Sequence, residues 1–352
     1  MDPISQGVLG ATATQVFGPV SRHKGLATAG LAGALSGMAA DLDVFFFSSE
    51  DPLLFLVYHR HFTHSLVFIP VGALIVSWVL QHFYFRNKLR FREVYLSCLV
   101  GYATHGLLDA CTTYGTSLLW PFSDERIAWN IVSVVDPLMT VPAVVLVVLA
   151  GRRRSRRYAI LALAWILLYL SAGAVQHSRA EAAARALADS RGHSTERLEV
   201  KPGFANLLLW KSVYLHQDYY YVDGIRAGLA VTSFGGDCIA DFDRQQHMPW
   251  VNPGSQQATD IERFRVFSNG YLSPWGDEQT SIADIRYSAF PHEIDPIWGI
   301  ELDPEKGPSE HVDYWTNRPA TGIDSLNLLA DLLLGRQPSD FRRIGCKSEN
   351  PQ

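Results

Sequence analysis

Val94–Cys111 reads VYLSCLVGYATHGLLDAC, an apolar run of membrane-spanning length that carries His105 and Asp109 close to its end. Hydrocarbon cannot solvate an imidazole or a carboxylate, so such groups inside an apolar run mark a polar pocket rather than a lipid-facing surface. Four residues apart on a helix, His105 and Asp109 lie one turn apart on one face and can converge on a single ion. The same spacing also suits a plain His–Asp hydrogen bond that fixes a packed imidazole. What the rest of the chain places beside this pair therefore decides between a site and a structural contact.

Working outward, Ser65–Phe85, Ser133–Ala150 and Tyr158–Val175 each meet the requirement of about 20 apolar residues for a spanning helix. Two shorter Gly/Ala-rich segments come first, Pro3–Phe17 and Gly25–Ala40, and Gly30, Gly33 and Gly37 permit close helix packing; short interfacial helices are the alternative reading. The expectation is a membrane all-α helical bundle of about six embedded helices over residues 1–176, holding the metal site. Residues 177–199, with the Ala-rich Ser178–Arg191, read as a connecting helix or linker. Residues 200–352 read as a smaller soluble β-rich or α+β domain outside the membrane. There the stretch NLLLWKSVYLHQDYYYVDGIRAG (206–228) has strand-like runs with an Asp-Gly turn. Arg263–Ser268 and Ile282–Ala289 read as further strands, and Ser325–Leu334 as an apolar helix.

Basic loops fix the orientation, because Lys and Arg in short loops stay on the cytoplasmic side. Arg22–Lys24, Arg86–Arg92 and Arg152–Arg157 alternate correctly, which places the N-terminus and residues 177–352 outside. The N-terminal MDPISQGVLG lacks the basic region of a cleavable signal peptide. With 30 Lys and Arg against 35 Asp and Glu, the net charge of −5 gives no reason to expect nucleic acid. The four cysteines have no zinc or redox spacing: Cys98 and Cys111 read as buried thiols, and Cys238 and Cys346 can pair if their domain is extracytoplasmic.

Three more polar clusters fall at the same membrane face as His105 and Asp109. Asp41 and Asp43 follow the second short helix, where a chain leaving its helix can aim both at one cation. His59-Arg60-His61-Phe62-Thr63-His64 supplies imidazoles, the side chains that most often bind metals near neutral pH, although an interfacial polar patch has the same composition. Asp136, ahead of Pro137, is either a further ligand or a helix N-cap. The metal-ligand candidates are thus His59, His64, His105, Asp109, Asp41, Asp43 and Asp136, with Asp41, Asp43 and His64 also candidates for catalytic work. This mixed nitrogen and oxygen set suits zinc foremost, with manganese or iron as alternatives, and has donors to spare for a second ion or for outer partners.

The quoted motifs, MDPISQGVLG, D-L-D, H-R-H-F-T-H-S and G-Y-A-T-H-G-L-L-D followed by T-T-Y-G, resemble the family of inner-membrane metal-dependent hydrolases that includes LexA-regulated, YdjM-like bacterial proteins. The resemblance covers residues 1–150, and Asn206–Gly224 looks like the outer domain of a longer subgroup. It implies a multi-pass protein of the bacterial inner membrane, a bound divalent metal and hydrolysis, with the family's acids and imidazoles matching Asp41, Asp43, His59, His64, His105 and Asp109. The family's N-terminal motif has His where this chain has Gln6. The reaction expected is attack of metal-activated water on an ester or phosphoester of a lipid-like or envelope-associated substrate, with membrane lipids as partners. A non-catalytic protein with a vestigial site and a transporter are the rivals, and no G-x-S-x-G elbow supports a serine hydrolase.

Overall fold

The computed structural model describes residues 1–19, 25–86, 89–276, 279–318 and 322–336. The basic turn Arg22–Lys24, part of the Arg86–Arg92 loop, and Cys346 lie outside the described residues. The chain divides into two compact units: Met1–Phe46 with Tyr58–Val175 and Phe204–Asn206, and Phe47–Val57 with Gln176–Gly203 and Leu207 onward.

The first unit is helical. It comprises α1 (Pro3–Phe17), α2 (Leu26–Met38), α4 (Ile69–Leu80), α5 (Phe91–Ala110), α6 (Pro137–Arg153) and the first part of α7 (Arg156–Ser190); the short α3 (Leu54–Tyr58) begins in the second unit. Proline and a capping carboxylate set where two of these start: Pro3 follows the Asp2 N-cap, and Pro137 follows Asp136. Backbone contact without side chains joins α1, α2 and α5. A Cβ on Gly10 would lie 2.4 Å from the Gly33 carbonyl oxygen, and one on Gly101 would lie 2.3 Å from that same oxygen. The expectation for Gly33 and Gly37 holds physically, since both sit in this crossing; Gly30 instead accommodates the Gln15 side chain.

Six membrane-spanning helices are not what the structure shows. Among the described residues one helix, α7, is long and apolar enough to cross a bilayer, or up to two if the segments Leu54–His64 and Ile69–Phe85, bent by 91°, count as one span. Local chemistry explains the difference. The apolar run from Ser65 opens in 3-10 turns, becomes α-helical only at Ile69 beside Pro70, and loosens into a π turn at Gln81–Phe85. In the run from Ser133, Asp136 caps a helix of 17 residues. Helix α5 turns Ser97, Cys98, Tyr102, His105 and Asp109 inward, so its polar content serves the interior. The unit nevertheless wears apolar side chains outside: Trp78, Leu138, Val141, Leu161 and Leu168 are exposed while Gln6, Thr12, Thr14 and Gln15 are buried. An exposed apolar surface of this kind marks contact with lipid or protein.

The second unit is built on two four-stranded antiparallel sheets. The first runs β1 (Arg197–Pro202), β2 (Leu209–His216), β3 (Tyr219–Ala227), β4 (Val231–Ala240) in that order. The second runs β5 (Leu272–Trp275), β6 (Ser281–Asp284), β7 (Trp298–Glu301), β8 (Asp313–Thr316), also in order. The end of α7 continues without a break through Ser190 and lays Ala180 and Ala184 on Val200, Trp210 and Ile225 of the first sheet. Small side chains there let the helix sit close to the strands. The helices α8 (Arg244–His247) and α9 (Gln256–Phe267) come between the sheets in sequence, and α10 (Ile323–Leu334) closes the described chain.

Two local expectations are corrected. Arg263–Ser268 is not a strand but the end of α9, which Ser255 caps and whose Ile261 and Phe264 are fully buried. The turn between β2 and β3 is at Gln217–Asp218, with Gln217 at φ 53°, and Asp223-Gly224 lies inside β3 at a register shift. Asp223 is held there because Arg191 grips both its oxygens at 2.7 Å. Gly236 is required opposite, since a Cβ there would meet the Val222 carbonyl oxygen at 1.7 Å.

His292 gives this unit an acid-labile element. Burial, aided by the Lys211 ammonium, pushes its pKa down to about 4 from the ordinary 6.5. A base with a depressed folded pKa contributes stability that is intact above 6.5 and is lost as the pH falls toward 4, because the unfolded chain binds the proton first. The expected loss is roughly 3 kcal/mol, from about 1.4 kcal/mol per unit of displacement. Denaturant unfolding of the second unit at pH 7 and pH 4, compared between the native chain and His292→Gln, measures it. An equal acid loss in both proteins refutes the assignment.

Candidate metal centre

Three segments deliver the site. After α2 the chain tightens into a 3-10 turn, Ala39–Phe45, in which successive residues advance by about a third of a turn. Asp41 and Asp43 therefore point in different directions. After α3 the backbone adopts a left-handed conformation at Arg60, φ 62°, and enters the 3-10 turn Phe62–His64. Such a φ is uncommon for a residue with a side chain, and here the guanidinium is pinned from two sides. Arg60 Nη1 donates to Thr112 Oγ1 at 2.9 Å, and Nε lies 3.4 Å from Asp109 Oδ2. The third segment is α5, where Gly106 lets the His64 backbone approach; a Cβ on Gly106 would lie 2.4 Å from the His64 carbonyl oxygen. Tyr102 Oη donates to the Thr63 carbonyl at 2.9 Å and ties the two segments together.

Four side chains consequently meet. His64 Nε2 lies 2.8 Å from His105 Nε2, 3.4 Å from Asp41 Oδ1 and 3.2 Å from Asp109 Oδ2. His105 Nε2 lies 3.3 Å from Asp41 Oδ1 and 3.5 Å from Asp109 Oδ2. A tetrahedral ion with bonds of about 2.0–2.1 Å needs donor separations of about 3.3 Å.

The protons sharpen this match. His105 Nδ1 lies 2.5 Å from the Gly37 carbonyl oxygen, which can only accept, so that nitrogen carries the hydrogen. Thr63 Oγ1 donates to Asp43 Oδ2 at 2.6 Å. His64 Nδ1, 3.0 Å from Thr63 Oγ1 and 3.2 Å from Asp43 Oδ2, is then the donor in its turn. As neutral rings, the two imidazoles would each turn an Nε2 lone pair toward the other and toward two carboxylate oxygens. Asp109 Oδ2 is buried and accepts no hydrogen bond. Two imidazoles and two carboxylates packed this closely fit a cation that displaces the protons among them, and the Nδ1 partners are those that orient ligating imidazoles.

Asp43 belongs to an outer layer. It accepts from His59 Nδ1 at 2.7 Å, from the Arg60 N–H at 3.1 Å, and from Thr63 and His64 as above. Burial pushes its carboxyl pKa up, but the His59 and His64 hydrogen bonds outweigh that and hold it below the ordinary carboxylate range. Asp41, Asp43 and His59 form a second group within mutual reach that shares Asp41 with the first. The side chains of Asp41 and His59 are 20% and 33% exposed, whereas those of His64 and Asp109 are fully buried, so the centre opens on the Asp41 and His59 side.

Six of the seven expected ligands are brought together in these two overlapping groups. Asp136 is not among them: it caps α6, accepting from Leu138 N and Met139 N, and its other oxygen accepts from Tyr169 Oη at 2.8 Å. Sequence reasoning missed Arg60 and Thr63, although both stand inside the quoted histidine motif, and missed the Gly37 carbonyl, which no side-chain pattern reveals. Gln6 does reach the site: its Nε2 donates to Asp109 Oδ1 at 2.8 Å, and the Met1 amino group bonds the same oxygen.

Asp41, His64, His105 and Asp109 all fall within residues 1–180, which match the family model described as YdjM inner membrane protein. The chain belongs to the YdjM family of inner membrane proteins. Two curated proteins are similar to it. One is the inner membrane protein YbcI of Escherichia coli (strain K12), 35% identical over 107 residues, which are 29% of this chain and 60% of YbcI. The other is the Bacillus subtilis (strain 168) protein YfhP, described as uncharacterized, 30% identical over 81 residues, which are 23% of this chain and 24% of YfhP. The matches thus span under two thirds of each relative. No solved structure matches the chain. The YdjM match contains every residue of the centre and ends within α7, so the sheets lie beyond it.

Proposed function

We propose that this YdjM-family protein is a membrane-bound metal-dependent hydrolase that cleaves an ester or phosphoester of a lipid or envelope-associated substrate. The observation that carries the reading is the convergence of Asp41 Oδ1, Asp109 Oδ2, His64 Nε2 and His105 Nε2, with the two rings 2.8 Å apart at Nε2 and each within 3.5 Å of both carboxylates. Two imidazoles and two carboxylates favour zinc, with manganese or iron as the next choices. A divalent ion held there supplies Lewis acidity and a water acidified toward neutral pH. Asp43 keeps His64 in the tautomer that presents Nε2, and Gly37 does so for His105. In this reading Asp41, on the open side, takes the proton of the incoming nucleophile and passes it by way of His59, at the same mouth, to the leaving group. Burial of His64 and Asp109 excludes water from the far side.

The reading includes a multi-pass chain with the second unit outside the cytoplasm. Cys238 is disulfide-bonded, which suits an oxidising compartment; Cys346, its expected partner, lies outside the described residues. A membrane-impermeant maleimide is expected to label Ser194→Cys in intact spheroplasts, and protection there until lysis would reverse the orientation.

The chemistry is tested on the full chain in detergent with chromogenic carboxylic esters, phosphomonoesters and phosphodiesters. Hydrolysis of one class, abolished by chelation and restored by one divalent metal, is the expected result. Metal bound at one or two ions per chain with no turnover of any class favours a non-catalytic role. Absence of bound metal after growth and assay with zinc, manganese and iron removes the proposal.

A further inference from the structure

Gln6, in the first turn of α1, is wholly buried in the first unit. Its Nε2 donates to Asp109 Oδ1 at 2.8 Å and lies 3.4 Å from the His105 carbonyl oxygen, while its Oε1 is buried and has no hydrogen-bond partner among the described residues. The amide is not free to turn over. Reversed, it would press Oε1 against a carboxylate oxygen and a carbonyl oxygen, which only accept. The main chain leaves as little freedom: a Cβ on Gly37 would lie 2.9 Å from the Gln6 carbonyl oxygen, and the Gly37 carbonyl is itself the acceptor of His105 Nδ1.

The two oxygens of Asp109 are consequently unlike. Oδ1 is taken up by Gln6 Nε2 and by the Met1 amino group. Oδ2 accepts no hydrogen bond, with Arg60 Nε at 3.4 Å, and lies 3.2 and 3.5 Å from Nε2 of His64 and His105. A carboxylate with one oxygen engaged by N–H donors meets a cation through the other alone. Were Oδ1 released, rotation about the last side-chain bond would bring it toward the same ion, and the protein would offer five donors in place of four. Four suit zinc, which takes tetrahedral sets and expands to five when another oxygen enters, whereas manganese prefers octahedral, oxygen-rich surroundings.

We propose that Gln6 is a positioning residue of the metal centre: its amide N–H holds Asp109 to coordination through Oδ2 alone, which keeps the protein donors at four, leaves the Asp41 side open to a further oxygen, and selects zinc over manganese. This rests on the metal centre proposed above and not on the identity of the substrate. Gln15 supplies a comparison within the same helix. It is 2% exposed, its Oε1 likewise has no partner among the described residues, and its Nε2 reaches the Val147 carbonyl oxygen at 3.4 Å and none of the four donors.

The test uses the full chain in detergent. Zinc and manganese affinities are measured by chelator competition, and the visible absorption of the cobalt-loaded protein, strongest for four-coordinate cobalt, reports the donor count. Gln6→Met keeps the length of the side chain and removes the donor; Gln6→Asn keeps the amide but withdraws it, and gives the same reading where Gln6→Met fails to fold. Either change is expected to lower zinc affinity roughly 10–100-fold, the cost of losing an outer partner. Manganese affinity is expected to fall less, so that the preference for zinc narrows, and the cobalt band to weaken as four-coordination gives way to five. Gln15→Met is expected to leave all three measurements unchanged. Equal losses of zinc and manganese with an unaltered cobalt band, or the same changes in Gln15→Met, show that Gln6 supports only the fold and overturn the inference. Gln6 variants that bind zinc and cobalt as the native chain does overturn it as well, and leave the metal centre standing. A native chain that binds none of the three ions overturns both.

Discussion

His105→Ala is expected to strip the purified chain of its divalent ion, lowering affinity by more than the roughly 10–100-fold that loss of an outer partner costs. His105 supplies one of four converging donors, and its removal leaves His64 Nε2 facing two carboxylate oxygens with a gap on one side. Asp43→Ala provides the contrast. Asp43 touches the centre only through His64, Thr63, His59 and the Arg60 N–H, so its loss frees the His64 ring to rotate and is expected to cost affinity within that 10–100-fold range. Asp136→Ala, which removes a helix cap remote from both metal groups, is expected to leave affinity unchanged and to cost about 1 kcal/mol of stability. Metal content after dialysis against graded chelator, with thermal unfolding to confirm the fold, separates the three. Equal losses for His105→Ala and Asp136→Ala would refute the site.

Gly101→Ala is expected to be among the most damaging single-methyl changes in the first unit. The added carbon would lie 2.3, 2.7 and 2.8 Å from the backbone oxygen, Cα and carbonyl carbon of Gly33, so no side-chain rotation relieves it and α2 must move away from α5. Overpacking of a tight core costs typically about 1–3 kcal/mol, and contact with the Gly33 backbone, which no rotamer change moves, places this case toward the upper end. The displacement has a chemical consequence. Helix α5 carries His105 one turn after Gly101, while α2 leads directly to Asp41, so separating the helices spreads the four donors. Gly254→Ala, whose nearest neighbour would be 3.6 Å away, is the neutral control. A Gly101→Ala protein with unchanged melting temperature and metal affinity would show that the glycine crossing does not set the donor spacing.

Much of the site was legible because ionisable side chains are so costly in apolar sequence that their positions carry information. His105 and Asp109 do share a helical face, and Asp41 and His64 do reach them. The span count was misread for the same reason in reverse. Hydropathy reports composition, and apolar runs from Ser65, Val94 and Ser133 read as crossings. The helices of the Ser65 and Ser133 runs are trimmed by Pro70 and the Asp136 cap, whereas α5 keeps its full length at Phe91–Ala110 and turns its polar face inward. The strand misreading at Arg263–Ser268 has a related cause: a short stretch with Phe264, Val266 and Phe267 alternates well enough for a strand, and only the Ser255 cap and the burial of Ile261 settle it as helix.

By itself the sequence determined which residues are too expensive to bury without a partner, and hence the chemical identity of the centre as imidazole and carboxylate. Only the tertiary structure decided which atoms of those residues face one another. The protonation of each imidazole depends on acceptors such as the Gly37 carbonyl and the Asp43 carboxylate, and the approach of the segments depends on glycines that touch backbone. Those partners are remote in the chain and mostly main-chain atoms, which every residue possesses and no residue name distinguishes.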